Sequence, residues 1–500
     1  MSAHPIETVV IVGSDTTLWL AAAVLRNALR PAGLAVEAVE LPATLRPADV
    51  HATLPPLEAL HAQLRIDEKA LLRSTGGAFS LGQNFTDTSG AAPAFLHAYG
   101  SCGAPIEDRE FFAYWLKARR HGLAVPLDDF SLTASAARHG RLMIPDDETD
   151  RYGRADYGYH LPALAYARSL KMLAIRDGVR AHETSALGIA LDPDRGTIKA
   201  VELEGGRRIE GQLFIDATAD ARLIGRALGV RVESWRDHFP VDRVLAATGP
   251  RFASIPIYAE VRASEGGWTA LHPTQAATHV VHAYASASAS DEEAAVAAAR
   301  AAGMPIADIA IRSPEPGRRE SAWAGNCVAI GAAACTFDPV HGVDLHAAQL
   351  GLVHLLSFFP AGTGHAAERA EYNRIMRSSL CRLRDFQSAH YALNRYGDAP
   401  FWTTAREAAL PAELAQDIAT FRARGLVAPR EDESFSPDSW RALFVGHGIV
   451  PESYIPAVDT VAADMVKEHF RRMLGFVRDQ VMRQPTHDQY LDGIGGASRG

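Results

Sequence analysis

The fold is decided by residues 6–40, IETVVIVGSDTTLWLAAAVLRNALRPAGLAVEAVE. Residues 6–12 form a short apolar run typical of a buried strand, and a turn follows at residues 13–15. An alanine- and leucine-rich helix is predicted over residues 17–29. Residues 35–40 alternate between apolar and acidic side chains, as a second strand does. A strand, a helix and a strand of these lengths predict a parallel crossover unit.

The turn after the first strand contains one of the three glycines of a dinucleotide-binding loop. That loop needs glycines so that the backbone can approach a pyrophosphate at the N-terminus of the following helix. Gly13 is present, whereas Asp15 and Leu18 stand at the second and third glycine positions. Glu40, at the end of the second strand, is placed to accept a hydrogen bond from a ribose hydroxyl. The pattern by itself leaves open both a nucleotide site and a plain βαβ core.

Composition and charge exclude several classes of protein. Of the 500 residues, 47% are hydrophobic and 22% are charged, and the net charge is -9, so a sizeable core is expected and nucleic acid is not an expected partner. No run of about 18 apolar residues and no signal peptide is evident, so no membrane association is expected. The 4 cysteines form no CxxC pair, which favours a reduced, cytoplasmic setting without a thiolate metal site.

Further elements follow from local patterns. Strands are predicted at residues 198–203 and 208–215, with Gly205-Gly206 as the hairpin turn between them. A buried strand is predicted at residues 323–331, and residues 285–303 predict an alanine-rich helix with an acidic first turn. These elements predict a mixed α/β fold.

The C-terminal part of the sequence has a different character. Helical spacing dominates over residues 366–398, and residues 491–500 predict a frayed tail. The predicted organisation is an α/β core over residues 1–360, with insertions that cover the substrate, and a helical region over residues 361–490. The two are expected to form one continuous unit.

A series of short phrases is spread over nearly the whole chain. They are FFAYWL (111–116), YGYHL (157–161), FIDAT (214–218), GW (267–268), WAGNCVAIG (323–331), DP (338–339), AEYN (370–373), PFW (400–402), FSPDSW (435–440) and GHGIVP (446–451). In this order and at similar spacing, they resemble segments of the flavin-dependent tryptophan halogenases.

The resemblance implies a FAD-binding Rossmann-like domain of the flavin monooxygenase type, merged with a mostly helical region. In that family, reduced FAD from a separate flavin reductase reacts with oxygen to give a hydroperoxide that oxidises halide. The oxidised halogen then reaches a lysine, beside a glutamate, at the substrate. The resemblance and the turn pattern together assign a set of candidate FAD-binding residues: Gly13, Ser14, Asp15, Thr16, Glu40, Asp216, Gly331 and Asp338. A small aromatic or peptide-borne substrate, a flavin reductase and a homodimer are the expected partners.

The positions that match the family's catalytic pair are substituted. Ser80, in Ala78–Gln83, stands at the lysine position, and a hydroxyl group can neither form a haloamine nor supply an ammonium. His341 stands at the glutamate position. A neutral imidazole can act as a general base near pH 7, so a pairing of Ser80 with His341 and Asp344 stays conceivable. The five-residue spacing of His341 and His346, without a third ligand, predicts no metal site.

The halide and substrate regions also differ from the family pattern. Gly342 and Val343 replace the small hydroxylated pair that helps to bind halide, and Asp344 in the same turn repels an anion. The family's WxWxIP signature reads here as residues 268–273, in which Trp268 is kept and His272 replaces the aliphatic residue. Standard halogenation of a free indole is therefore not expected.

Asp15 also bears on FAD binding. A carboxylate ~4 Å from a pyrophosphate charge costs on the order of 4 kcal/mol at an effective dielectric constant of about 20. Arg26 and Arg222 are candidates to offset this charge.

Three functions stay open. The first is a flavin-dependent oxidoreductase of this family that has lost or rerouted its halogen chemistry. The second is a halogenase with non-standard catalytic groups, and the third is a flavin-free pseudoenzyme that acts as a binding or partner subunit.

Overall fold

A computed structural model describes residues 5–145 and 153–496 and confirms the mixed α/β class. The strands are, in chain order, β1 (Thr8–Gly13), β2 (Ala35–Glu40), β3 (Val50–Ala52), β4 (Ala78–Ser80), β5 (Gly82–Asp87), β6 (Phe95–Ala98), β7 (Gly158–Pro162), β8 (Arg180–Glu183), β9 (Leu187–Leu191), β10 (Ile198–Leu203), β11 (Arg208–Glu210), β12 (Leu213–Ala217), β13 (Val232–Ser234), β14 (Arg243–Pro250), β15 (Ala259–Ser264), β16 (Gly267–Pro273), β17 (Ala277–Tyr284), β18 (Ala307–Arg312), β19 (Gly317–Arg319), β20 (Trp323–Ala324), β21 (Cys327–Ala329) and β22 (Cys335–Thr336). The α-helices are α1 (Asp15–Leu29), α2 (Pro56–Gln63), α3 (Glu68–Thr75), α4 (Phe111–Arg120), α5 (Leu132–Arg138), α6 (Ala163–Arg176), α7 (Asp291–Ala302), α8 (Asp344–Ser357), α9 (Ala366–Ala392), α10 (Pro400–Glu407), α11 (Ala412–Arg424), α12 (Pro437–Gly446), α13 (Ala463–Arg483) and α14 (His487–Gly496).

The chain divides into two compact units, each built from three segments. Unit 1 consists of Met1–Gly76, Leu161–Arg236 and Ser313–Arg384, and unit 2 consists of Gly77–His160, Asp237–Arg312 and Asp385–Gly500. The predicted boundary at residue 360 falls inside unit 1. Over the described residues, no helix has the length and apolar character needed to cross a membrane.

Unit 1 is built on the predicted crossover. Its main sheet has the strand order β20-β21-β12-β1-β2-β8, and β1 runs parallel to both β2 and β12. Four consecutive residues of β1, Val9–Val12, are fully buried. Val10 and Val12 pack with residues of β10 and β11 in one core cluster, and α1 contacts β1 as well. Helix α1 packs against α6 on one side of this sheet. This arrangement brings the turn at Gly13 and the end of β2 at Glu40 to the same edge.

Unit 2 contains a seven-stranded sheet with the order β18-β14-β17-β16-β15-β5-β6. Helix α7 covers it, and the alanines of α7 pack on buried residues such as Leu245 and Val280. The predicted acidic N-terminus of α7 is a capping box between Ser290 and Glu293. From Ala366 onward, the named helices and strands are all helices, α9–α14, as the C-terminal pattern predicts.

The helix predicted over residues 285–303 is α7, which begins only at Asp291, and four further predicted elements differ from the structure. The predicted strand 208–215 is wrong as one element, because the chain breaks near Gly211 into β11 and β12, which belong to two sheets. The predicted strand 323–331 is a tight hairpin of β20 and β21 that turns at Gly325-Asn326, where Gly325 has a φ of +55°. Helix α9 ends at Ala392, before residue 398.

The predicted tail is the fourth correction. Helix α14 continues to Gly496, and it is anchored by Leu491 and Ile494, which are buried. Residues 497–500 lie outside the described part of the chain.

Candidate functional site

The turn between β1 and α1 contains a carboxylate, that of Asp15, which is hydrogen-bonded within the protein. Asp15 has a φ of +57°, a left-handed conformation that a glycine adopts without strain. Its Oδ2 accepts hydrogen bonds from the Thr44 backbone N at 2.6 Å, from the Thr44 hydroxyl at 2.8 Å and from the Leu45 backbone N at 3.2 Å. Because Asp15 is also the first residue of α1, its negative charge lies at the positive end of the helix. A carboxylate of the protein therefore lies at the helix end where a dinucleotide-binding turn binds a phosphate.

The residues on either side of Asp15 are packed or bonded within unit 1. Leu18 is fully buried, so it fills the helix–sheet contact where a glycine was expected. The Thr16 hydroxyl lies 2.8 Å from Nε2 of His51. Burial lowers the pKa of His51 to about 4, against the opposite effect of Asp49 and Asp15, so this imidazole is neutral at pH 7. His51 therefore brings no positive charge to the turn.

The two arginines expected to offset the charge of Asp15 bind other groups. Arg26 is in the last turn of α1 and donates to the carbonyls of Asp177 and Leu34. Arg222 pairs with Asp220 at 3.1 Å. Neither interaction is at the first turn of α1.

Glu40 is bonded on both oxygens. Its Oε1 accepts a hydrogen bond from the Trp19 indole at 3.0 Å, and its Oε2 lies 2.5 Å from the Lys171 ammonium. Lys171 also pairs with Glu183 at 3.0 Å and stands over the Trp19 ring. A cavity of about 490 Å³ opens beside Glu40, with Ala43 and Thr184 in its lining.

The remaining candidate cofactor residues have structural contacts. Both oxygens of Asp216 are used, because they accept hydrogen bonds from Thr218, Leu223 and Ile224. Burial raises the pKa of Asp216, and these hydrogen bonds oppose the rise. Asp338 is fully buried, and its Oδ1 accepts a hydrogen bond from the Val340 backbone N at 2.9 Å.

Two glycines of unit 1 mark close backbone contacts. A Cβ at Gly13 would lie 2.5 Å from the carbonyl oxygen of Ala217, so this position admits no side chain. A Cβ at Gly331, where φ is +61°, would lie 2.8 Å from Cγ2 of Thr17. Ser14 is extended and precedes α1, and its side chain forms no capping hydrogen bond.

Ser80 belongs to unit 2, at the end of β4. Its side chain is 1% exposed, and the hydroxyl donates to the Gly82 carbonyl at 3.2 Å. The Tyr99 phenol also shares a hydrogen bond with Ser80, whereas burial, the larger effect, raises the pKa of Tyr99. The hydroxyl is therefore hydrogen-bonded to a tyrosine and to a backbone carbonyl.

His341 belongs to unit 1 and lies in a tight turn, Val340–Gly342. It is buried and has a φ of +68°, and Gly342 follows with a φ of +60°. A Cβ at Gly342 would lie 3.0 Å from Cβ of Ala52, which leaves little room for the hydroxylated residue that the family pattern has there. Val343 is fully buried. The proposed pairing of Ser80 with His341 and Asp344 stays a prediction.

Asp344 is the first residue of α8, as Asp15 is of α1. Its carboxylate accepts hydrogen bonds from its own backbone N–H and from that of Phe337. The side chain keeps an accessible surface, but protein atoms surround it on most sides and displace water, so burial raises its pKa to about 6. At pH 7 the helix N-terminus in the predicted halide region therefore carries an anion of the chain itself.

Trp268 and His272 lie on β16 in unit 2 and are both buried. The Trp268 indole donates to the Tyr391 hydroxyl at 2.7 Å. The His272 ring centre lies 5.1 Å from that of His160. Burial, with His279 nearby, lowers the pKa of His272 to about 3. Both side chains therefore have partners within unit 2, and their place in the substrate region stays a prediction.

Four residues that complete these contacts were not predicted from the sequence: Thr44, His51, Tyr99 and Lys171. Each is far in sequence from the group it binds, and none belongs to a local motif. One signal was present for Thr44, since a carboxylate at a glycine position needs donors close to the turn.

The parallel sheet, the glycine turn at its edge and the acidic end of β2 define a protein built on a dinucleotide-binding fold. The chain belongs to the tryptophan halogenase family, whose family model matches residues 8–463. It is 26% identical over 490 residues to the tryptophan 6-halogenase ThaL of Streptomyces albogriseolus, with 91% of each chain covered.

Solved structures agree with this assignment. BrvH, a flavin-dependent halogenase from Brevundimonas sp. BAL3, is 31% identical with a TM-score of 0.92 over 98% of this chain and 99% of that one. Xcc4156, a flavin-dependent halogenase from Xanthomonas campestris, is 29% identical with a TM-score of 0.92 over the same shares. The predicted family and fold are therefore confirmed.

The residues at the first turn do not fit the diphosphate of the FAD that the family implies. The donors of Thr44 and Leu45 already bind the Asp15 carboxylate, and the neighbouring His51 is neutral at pH 7. The cavity beside Glu40 has room for a nucleoside.

Proposed function

We propose that this chain is a family member that has kept the fold, has lost the halogenating chemistry, and acts as a binding protein or partner subunit without FAD. The observation that carries the proposal is the first turn, where three hydrogen bonds from Thr44 and Leu45 hold the Asp15 carboxylate at the N-terminus of α1, the end at which a diphosphate binds. A turn that does not bind the diphosphate of FAD prevents FAD binding, and therefore every reaction that depends on FAD.

The altered halogenation residues support the same conclusion. The Ser80 hydroxyl supplies no ammonium for an activated halogen and donates to a backbone carbonyl. The Asp344 carboxylate binds the N-terminal amide of α8 and repels a second anion. The electrostatic elements for halogen transfer and for halide binding are both changed in the same chain.

A titration of the purified chain with FAD tests this function. We expect a colourless protein and no saturable quenching of FAD fluorescence up to about 100 µM, because a loss of about 4 kcal/mol weakens binding roughly a thousandfold. BrvH, titrated in parallel, is the positive control. Saturable binding at low micromolar FAD would overturn the proposal.

The cavity beside Glu40 favours a second candidate function, a flavin-dependent oxidoreductase that does not halogenate and acts on a small aromatic or peptide-borne substrate. Its Glu40 rim and its volume of about 490 Å³ suit the nucleoside part of FAD. This candidate predicts FAD binding, NAD(P)H consumption with an added flavin reductase, and no brominated product by mass spectrometry. Brominated tryptophan or indole would contradict both functions.

A further inference from the structure

We propose that unit 2 contains a binding site for a small aromatic carboxylate, in two adjoining cavities around Trp115. The cavities have volumes of about 170 Å³ and 250 Å³, and both have Trp115, Arg119 and Gly446 in their linings. Every residue that lines them belongs to unit 2. The site is independent of the FAD question, because the crossover and its first turn belong to unit 1.

The smaller cavity suits a six-membered ring. Its apolar lining includes Phe95 and Leu96 of β6, Trp115 and Leu127, and Val445 of α12. An apolar cavity of about 150 Å³ accommodates benzene. A flavin ring system is too large for this space, so a single aromatic ring is the occupant that the volume favours.

The acidic residues of the smaller cavity are ion-paired, each with an arginine that also binds a second carboxylate, Asp129 or Glu110. Asp128 forms an ion pair with Arg138. Asp438 pairs with Arg441 at 2.9 Å through Oδ1 and accepts a hydrogen bond from the Cys102 backbone N at 3.1 Å through Oδ2. These ion pairs hold both carboxylates within the wall of the smaller cavity, so the guanidinium available to a ligand carboxylate is that of Arg119.

The larger cavity carries unbalanced positive charge. It is lined by Arg119 and Arg395, and within the described parts of the chain neither guanidinium has a carboxylate within 4 Å. Arg119 lies over the Trp115 ring at 5.1 Å and lines both cavities. A ring in the smaller cavity would thus place a carboxylate substituent beside Arg119, and Arg395 would add to the attraction.

Calorimetric titration of the full chain with phenylacetate and with phenethylamine tests the site, because the two probes have similar size and opposite charge. We expect phenylacetate to bind with a Kd of about 0.1–1 mM, the range for a ligand of this size, and at least about tenfold tighter than phenethylamine. Equal affinities, or no binding of phenylacetate, would overturn the proposal.

Three variants test whether phenylacetate binds in these two cavities. The double substitution Arg119→Gln and Arg395→Gln should weaken phenylacetate binding at least about fivefold. Arg424→Gln removes another exposed arginine of unit 2 that lies outside both linings, and it should leave the affinity unchanged. Ala442→Leu adds volume on the α12 side of the smaller cavity and should abolish binding. Phenylacetate binding that survives either the arginine pair or Ala442→Leu would place the probe elsewhere and refute the site.

Discussion

A single carboxylate decides how the first turn of this molecule differs from a dinucleotide-binding turn. Asp15 has a left-handed backbone conformation that usually needs glycine. The free-energy cost of this conformation is offset by three hydrogen bonds that the carboxylate accepts from Thr44 and Leu45. The side chain that would repel a phosphate is thus fixed in place by hydrogen bonds within the protein. The effect of the charge and the effect of the whole side chain can be separated by comparing Asp15→Asn with Asp15→Gly.

We expect Asp15→Gly to tighten FAD binding, because it removes the negative charge and frees the Thr44 and Leu45 amides. Asp15→Asn keeps an acceptor for Thr44 but removes the charge, so it should produce a smaller gain. The change is measured as quenching of FAD fluorescence, with circular dichroism as the folding control. An affinity that is unchanged or weaker in Asp15→Gly would refute electrostatic repulsion as the cause.

Restoring the family's catalytic pair should not restore good halogenation. The double substitution Ser80→Lys and His341→Glu returns the ammonium and the carboxylate, but the Asp344 anion remains at the N-terminus of α8. With a flavin reductase, bromide and tryptophan, we expect product below about 1% of that formed by ThaL under the same conditions. Vigorous bromide-dependent turnover by this variant would show that the halide region is still competent.

At the scale of elements, the contact between α1, β2 and α6 is held by a polar network. The buried Trp19 of α1 donates to Glu40 of β2, and Lys171 of α6 binds Glu40 and Glu183. These bonds stabilise the crossover without any ligand. Glu40 therefore has a structural role in addition to the ribose-binding role that its position predicts.

We expect Glu40→Ala to lower the free energy of unfolding by about 1–3 kcal/mol, because the Trp19 indole N–H loses its acceptor in a buried place. Glu183→Ala is the matched control, because it removes the other carboxylate that pairs with Lys171. The Glu183 side chain is 76% exposed, so this substitution should change the free energy of unfolding by less than about 0.5 kcal/mol. Urea unfolding measures both variants. Similar values for the two would argue that Glu40 contributes no structural bond.

At the scale of the whole molecule, buried histidines make stability depend on pH. Burial lowers the pKa of His97, His282 and His487 to about 4, and that of His272 and His447 to about 3, from an ordinary value of 6.5. All five belong to unit 2 and are neutral in the folded protein at pH 7. The unfolded chain binds protons first as the pH falls, so acid favours unfolding.

We expect the thermal unfolding midpoint to be nearly constant above pH 7 and to fall between about pH 6.5 and pH 4. Each of these histidines contributes up to roughly 1.4 kcal/mol per pH unit in that window. His272→Gln should reduce the slope, whereas the exposed His139→Gln should leave it unchanged. A midpoint that does not move between pH 7 and pH 5 would contradict the assignment of neutral, buried imidazoles.

Local patterns predicted the elements that are built from sequence neighbours. The apolar run of β1, the alternation of β2 and the acidic cap of α7 were recognisable because propensity and burial agree within a few residues. The strand at residues 323–331 was missed as a hairpin because both of its arms are apolar, and only the positive φ at Gly325 reveals the turn. The helix α14 was missed because its anchoring depends on tertiary packing of Leu491 and Ile494.

The sequence by itself determined the fold family and the loss of specific chemical groups, since Ser80, His341 and Asp15 are substitutions at recognisable positions. Only the tertiary structure decided what those groups do instead. It gave the Asp15 carboxylate its donors in the loop after β2, and it brought Lys171 to Glu40 from a helix more than a hundred residues away in sequence. The reason is physical: residue types fix which interactions are possible, whereas distances between remote segments fix which of them are made.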